Sequence, residues 1–230
     1  KRMDICGIKT DINVLDKNTS TEELLNLLEQ KNKDNSIHGI LMFQPLPAHI
    51  DSSVIKSSIN ELKDVDCINP LSSAKMYLED KNAFVPATPG AVMEILDFYK
   101  IPLEGKNVAV LGRSMVVGKP LAMMLLNKNA TVTICHSRTK NIANICRNAD
   151  IIISCIGKEG FVTSEFVNDN SIVIDVGINM NKDNKICGDV DFNDVADIVR
   201  AITPVPGGVG GVTTSVLARN IIKAVKLVCN

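Results

Sequence analysis

Apolar and polar residues alternate along Ile8–Leu15, the two-residue period of a half-buried strand. Thr19-Ser-Thr-Glu22-Glu23 follows, and Leu24, Leu25 and Leu28 then recur at helical spacing. A hydroxyl residue three positions ahead of Glu can exchange hydrogen bonds with it across the first turn, so this segment predicts a capped amphipathic helix. A second step of the same kind begins with the apolar run His38–Phe43, stops at Gln44-Pro45-Leu46-Pro47, and continues as a short helix capped by Asp51 and ending at Ile59. After a loop holding Asp64-Val-Asp66, Thr88–Tyr99 is predicted as a helix with Thr88 as its cap, Pro89 at its first position, and Val92, Ile95, Leu96 and Tyr99 on one face. This helix reads as a bridge between two halves.

From Lys106 onward the pattern is a strict alternation: strand Val108–Leu111, helix Pro120–Leu126, strand Thr131–Cys135, helix Ile142–Arg147, then strands Ile151–Cys155 and Ile172–Val176. Strands this uniformly apolar predict a parallel sheet covered on both faces. The tail Thr213–Val228 is predicted helical and returns to pack on the first half. The expected fold class is therefore α/β with two α/β domains, the second a Rossmann-like parallel sheet.

Composition narrows the partners. A net charge of −1 in 230 residues, with no basic run, offers no field for nucleic acid or an anionic membrane. Absence of Trp and 3% aromatic residues disfavour base-stacking platforms. No stretch approaches the roughly 18 apolar residues of a membrane span, and Lys-Arg-Met-Asp does not begin a signal peptide. The cysteines at 6, 67, 135, 146, 155, 187 and 229 are scattered and form no C-x-x-C pair, which predicts reduced thiols in a cytoplasmic protein and no metal site. Cys135, Cys155 and Cys187 sit in apolar strands, where a buried structural role is expected.

The stretch Gly112-Arg113-Ser114-Met-Val-Val-Gly118-Lys119-Pro120 places one Gly directly after a strand and another at the start of a helix. That is the setting in which a helix N-terminus holds a pyrophosphate. Ser114 stands where a dinucleotide loop normally has its middle Gly, and its hydroxyl can donate to a phosphate. A plain structural turn is the competing reading. The next strand ends Cys135-His136-Ser137-Arg138, without the acid that accepts from the ribose 2′-hydroxyl of NAD; Arg113, Ser137 and Arg138 instead suit the 2′-phosphate of NADP. A solvated Arg138 and a merely polar His136 are the bland alternatives.

Eight segments together, Leu111-Gly-Arg-Ser-Met-Val-Val-Gly-Lys-Pro120, Ala130-Thr-Val-Thr-Ile-Cys-His-Ser137, Asp175-Val-Gly-Ile-Asn179, Ile202-Thr-Pro-Val-Pro-Gly-Gly-Val-Gly210, His38-Gly-Ile-Leu41, Pro45-Leu-Pro-Ala-His-Ile-Asp51, Lys63-Asp-Val-Asp66 and Pro86-Ala-Thr-Pro89, resemble in order and spacing the signature segments of the methylenetetrahydrofolate dehydrogenase/cyclohydrolases. The resemblance implies a folate-binding catalytic domain (1–87 with 213–230) and an NADP-binding domain (88–212) flanking a cleft, in a homodimer formed through the cofactor domain. It implies oxidation of 5,10-methylenetetrahydrofolate with NADP, then hydrolysis to 10-formyltetrahydrofolate, in one-carbon metabolism. By similarity Gly112, Arg113, Ser114, Ser137 and Ile178 contact NADP, Asp66 holds the pterin, and Pro206, Gly207 and Gly208 line the folate. The residue types agree: a carboxylate accepts two adjacent N–H donors of a pterin edge, and a Gly run lets backbone approach a flat ring.

Several positions depart from the family pattern. The family's Tyr and catalytic Lys would lie just upstream of Lys1, so the N-terminal segment is expected to be missing, and Lys1 is not assigned that role. Phe43 stands where the family has its supporting Gln, with Gln44, the one catalytic candidate present, a position later; alternation along a strand should then turn Gln44 the other way unless the loop bulges. Cys67 replaces the usual Gly after Asp66, and Gly211-Val212 replaces Pro-Met. Two rival readings follow: a dehydrogenase with impaired hydrolysis, and a non-catalytic NADP-binding regulatory module.

Overall fold

The computed structural model describes residues 1–228, so Cys229 lies outside the described residues. The six described cysteines are free thiols. The chain divides into two compact units, one of residues Lys1–Ala87 and Thr214–Asn230, the other Thr88–Thr213.

The first unit opens with α1 (Arg2–Ile5) and α2 (Thr21–Lys33). Ser20 caps α2 in a complete capping box: Glu23 N–H donates to Ser20 Oγ at 3.2 Å and Ser20 N–H to Glu23 Oε2 at 2.7 Å. Asp51 caps α3 (Ser52–Ser58) by accepting from the N–H groups of Ser53 and Val54. Leu24 and Leu28 of α2 pack with Ile50, Ile55 and Ile59 as this unit's apolar centre. The sequence pattern did not reveal α4 (Pro70–Tyr77), although its signals are present: Asn69 accepts from Leu71 N–H and Pro70 takes the first position.

Both strands expected in this unit are corrected. Ile8–Leu15 joins no ladder, and Ile12 and Val14 stand 79% and 88% exposed. Alternation makes a strand only where a neighbour accepts its hydrogen bonds, and none pairs here among the described residues. His38–Phe43 makes a single parallel bridge, Ile40 to Asp64. Its chain is nevertheless extended, with Ile40 and Met42 packed inward against the apolar centre.

In the second unit α5 (Ala87–Phe98) buries Ala91, Val92, Ile95 and Leu96. Thr88 is inside its first turn rather than capping it, and Tyr99 follows its end, 69% exposed, so the buried face is narrower than expected. Then come β1 (Asn107–Leu111), α6 (Gly118–Leu126), β2 (Thr131–Cys135), α7 (Ile142–Arg147), β3 (Ile151–Ser154) and β4 (Ile172–Asp175). A two-stranded antiparallel pair, β5 (Asn179–Met180) with β6 (Ile186–Cys187), precedes α8 (Phe192–Val195), β7 (Ala201–Ile202) and the long α9 (Val209–Val228), which starts four residues before its expected position.

The sheet is parallel in the order β2-β1-β3-β4-β7. β1, β3 and β4 are almost wholly buried, as strands covered on both faces should be. The edge strands differ: within β2 only Cys135 is buried, and in β7 neither residue is. An edge strand lacks a neighbour on one side, and apolar composition alone does not announce that position. Cys155 follows β3 rather than ending it, and Cys155 and Cys187 are only half-buried.

Candidate functional site

Register decides where the candidate residues of the second unit meet. Leu111 is paired with both Cys135 and Ser154, and Ser154 with Asp175. The last residues of β2, β1, β3 and β4 therefore stand abreast, and Gly112, His136, Cys155 and Val176 leave the sheet along one rim. The chain crosses from β1 outward to β2 and then back to β3, so the rim between β1 and β3 is the topological switch point where open α/β sheets bind ligands.

Gly112 follows β1 with φ +125°. A side chain there would meet Cys155 O and Sγ at 2.7 Å, and a Cβ at Gly118 would lie 2.2 Å from Gly112 O. Both glycines are thus required by close packing of the loop on β3 and of α6 on the loop. No side chain caps α6, and among the described residues the N–H groups of Arg113, Ser114, Met115 and Val116 make no backbone hydrogen bond. Ser114 Oγ accepts from Val117 N–H at 3.1 Å, which leaves the hydroxyl proton to donate outward. Arg113 and Ser114 are exposed. Open N–H donors at an uncapped helix start, beside an arginine, fit a phosphate group.

After β2 the chain makes a tight turn. Thr139 N–H donates to His136 O at 2.8 Å, His136 N–H to Thr139 Oγ1 at 2.9 Å, and Arg138 N–H to His136 Nδ1 at 3.2 Å. His136 is therefore a turn residue, and Ser137 and Arg138 are held on the exposed tip. This rim carries no carboxylate at the end of β2, which fits a 2′-phosphate and not a bare ribose hydroxyl.

Sequence reading missed the carboxylates that organise the other side of the rim. Asp175, the last residue of β4, is buried and accepts from Gly177 N–H (2.9 Å), Asp189 N–H (3.0 Å) and Val190 N–H (2.9 Å). Burial pushes its pKa up, against the pull of these three donors, with the Asp189 charge adding to the rise. Asp189 is fully buried and accepts from five donors: Ser154 Oγ and the N–H groups of Ile156 and Gly157 on Oδ2, and Lys158 N–H and Asn179 Nδ2 on Oδ1. The available signal was only a short Gly188-Asp189 step between weak elements, which resembles any turn. Ile178, between these two arms, is 69% exposed, and Gly210 is the glycine whose Cβ would approach it, at 4.0 Å.

Pro206, Gly207 and Gly208 follow β7 on the same rim. Thr203 Oγ1 accepts from Asp175 N–H at 2.8 Å, the Val205–Pro206 peptide is cis, Gly207 has φ +107°, and a Cβ at Gly208 would lie 2.4 Å from Pro204 O. Gly207 thus answers a backbone requirement and Gly208 an internal contact.

In the first unit, buried Asp64 accepts from Ile68 and Asn69 N–H and fixes the loop that carries Asp66. Lys63, also buried, donates Nζ to the carbonyls of Lys31, Asn32 and Asp34. Asn220 of α9 donates to Val65 O at 2.8 Å and Val85 O at 2.7 Å, bracketing the loop from the other side. Asp66 is half-buried with Oδ1 accepting from Ala87 N–H at 2.9 Å, which leaves its second oxygen for a ligand. Burial raises its pKa, the Ala87 N–H opposes this, and Asp64 adds to the rise. Cys67 adopts φ +57°, a conformation that suits the Gly it replaces. Phe43 is 81% exposed. Gln44 has the parity of Ile40 and Met42, is half-buried, and its Nε2 is enclosed without a hydrogen-bond partner.

Residues 86–229 match the family model described as the NAD(P)-binding domain of tetrahydrofolate dehydrogenase/cyclohydrolase, and residues 1–66 match that of its catalytic domain. The chain is 52% identical over 226 residues to the bifunctional protein FolD 1 of Desulfitobacterium hafniense, covering 98% of this chain and 80% of that protein. Among solved structures it is similar to the bifunctional FolD enzyme of Campylobacter jejuni (TM-score 0.95, 44% identity, 98% of this chain and 80% of that one). It is also similar to FolD of Trypanosoma brucei, solved with NADP cofactor and inhibitor (TM-score 0.92, 36% identity, 98% and 79%). The two matched segments, the relative at about half identity and the shared fold converge: the chain belongs to the tetrahydrofolate dehydrogenase/cyclohydrolase family.

Proposed function

We propose that this protein oxidises 5,10-methylenetetrahydrofolate with NADP and hydrolyses the methenyl product to 10-formyltetrahydrofolate. The observation that carries the reading is the rim of the parallel sheet, where open N–H donors at the start of α6 lie beside Arg113 and the exposed Ser137–Arg138 tip, with no carboxylate at the end of β2. The Trypanosoma brucei relative was solved with NADP, which supports the same cofactor here.

Gly112 and Ser114 would hold the pyrophosphate, Arg113, Ser137 and Arg138 the 2′-phosphate, and Ile178 the body of the cofactor. Bound NADP supplies the hydride acceptor. On the folate side, Asp66 would accept from the pterin N–H edge through its free oxygen, and Pro206, Gly207 and Gly208 would line the substrate. Loss of hydride leaves a cation shared between two substrate nitrogens, so these residues act by orientation and by excluding misaligned poses.

Hydrolysis additionally requires a group that moves a proton to or from water. Here a second reading, a dehydrogenase with impaired hydrolysis, is favoured by a specific observation: Phe43 takes the exposed position, whereas Gln44 is half-buried with its Nε2 enclosed. The two readings separate when methenyltetrahydrofolate is supplied alone and its decay is timed apart from NADP reduction. Fast enzymatic decay supports the bifunctional reading, and decay at the uncatalysed rate supports the second. A homodimer formed through the cofactor domain and a cytoplasmic location belong to the same proposal. They are supported by family membership; no helix among the described residues is long and apolar enough to cross a membrane.

A further inference from the structure

Asp189 lies outside every residue assigned so far, yet its single buried side chain accepts five hydrogen bonds from two different segments. Four donors belong to the chain leaving β3: Ser154 Oγ at 3.1 Å and the N–H groups of Ile156 (2.8 Å), Gly157 (3.2 Å) and Lys158 (2.9 Å). The fifth, Asn179 Nδ2 at 2.9 Å, belongs to the chain leaving β4. Asp175 fixes the backbone of Asp189 in turn, by accepting from the N–H groups of Asp189 and Val190. The two carboxylates interlock so closely that a Cβ at Gly177 would lie 2.2 Å from Asp189 Oδ1, and one at Gly188 would lie 1.9 Å from Asp175 Oδ2.

This clasp holds two surfaces of the rim. Through the β3 segment it sets Cys155, against which Gly112 is packed; through Asn179 it sets the adjacent, exposed Ile178. The Ile156, Gly157 and Lys158 N–H groups are spent on the protein's own carboxylate, so a phosphate must use the open donors before α6. A dinucleotide with its 2′-phosphate at the tip after β2 and its pyrophosphate at β1 then extends toward β3 and β4, each strand step adding about 4.8 Å.

We propose that Asp189, seated by Asp175, is a positioning residue for the nicotinamide half of NADP: it fixes the loops after β3 and β4 against which that half lies. The proposal rests on the NADP reading above. Its consequence is selective. Ligands that reach only the β2 and β1 positions should not sense the Asn179 arm of the clasp, whereas the whole dinucleotide should.

The test is calorimetric titration of the protein, its Asn179→Ala variant and its Asp189→Asn variant with NADP and with adenosine 2′,5′-bisphosphate, alongside thermal melting. Asn179→Ala removes one donor and leaves the β3 bonds in place. Its NADP Kd should rise about tenfold, because the segment carrying Ile178 is no longer held in place and must be ordered at the expense of binding. Its bisphosphate Kd should stay within about twofold, while its Tm should fall by several degrees, since the lost bond belongs to the fold itself. In Asp189→Asn the new NH2 group also confronts the N–H donors on the β3 side, where Cys155 backs Gly112, so the NADP Kd should rise further and the bisphosphate Kd should rise too, by less. A wild-type protein that binds neither ligand would overturn the NADP reading itself. If wild type binds both and Asn179→Ala binds NADP unchanged, or loses both ligands equally, the positioning role is rejected, whatever the folding of Asp189→Asn.

Discussion

At the tip after β2, Arg138 has its main chain locked into the His136 turn while its side chain stays exposed, so its guanidinium is available to a ligand at little cost to the fold. Arg138→Ala should therefore weaken NADP by about 1.5–3 kcal/mol, the range for a charge-assisted bond, and leave NAD affinity nearly unchanged. Titration with both dinucleotides checks this; equal losses would remove the 2′-phosphate from this tip. Asp66 offers a second test at the same scale. The pterin edge requires the carboxylate, and burial raises the pKa of Asp66. A raised pKa keeps the proton on to higher pH, so folate affinity should fall on acidification while an ordinary Asp would still be ionised. The acid limb of kcat/KM for folate should lie above the usual Asp range and vanish in Asp66→Asn together with most turnover, with NADP affinity preserved. An unaltered limb in that variant would assign the titration to another group.

Elements explain which residues reach the rim and which do not. The β1–α6 turn depends on backbone contact, so Gly118→Ala, whose Cβ would meet Gly112 O at 2.2 Å, must push helix and loop apart. NADP binding should drop at least tenfold, with folate-analogue binding retained; calorimetry on both ligands decides. Along Ile40–Gln44 the extended chain places Ile40 and Met42 inward and Phe43 outward, so Phe43→Gln returns an amide to the exposed face without crowding the centre. Methenyl hydrolysis should rise by on the order of tenfold, within the reach of one proton-handling contact. Unchanged hydrolysis would show that this face does not limit the step.

The same elements show what was legible in the sequence. From Lys106 onward, strand and helix periods and turn glycines agree, and β2 and α7 fall at the expected residues. In the first unit local signals conflicted with pairing: Ile8–Leu15 and His38–Phe43 alternate as strands do, but a strand is defined by a neighbour that periodicity does not supply. The glycine loop and the Ser137–Arg138 tip could be placed because they follow strands directly. Asp175 and Asp189 could not be paired, since fourteen positions and a small antiparallel pair separate them, and only the fold brings one carboxylate under the other's backbone.

At the scale of the molecule, the second unit builds a dinucleotide rim from five parallel strand ends and the first suspends a half-buried carboxylate on a loop braced by Asp64 and Asn220. Family membership joins these two features to one reaction. The most direct measurement is the initial rate of dinucleotide reduction when the natural protein carrying this sequence meets 5,10-methylenetetrahydrofolate, with NADP and NAD supplied in parallel at equal concentration. Folate-dependent NADPH formation is expected, with kcat/KM at least tenfold above that for NAD, the value of one charge-assisted bond to the 2′-phosphate. Folate-independent reduction, or equal rates with both dinucleotides, would contradict it.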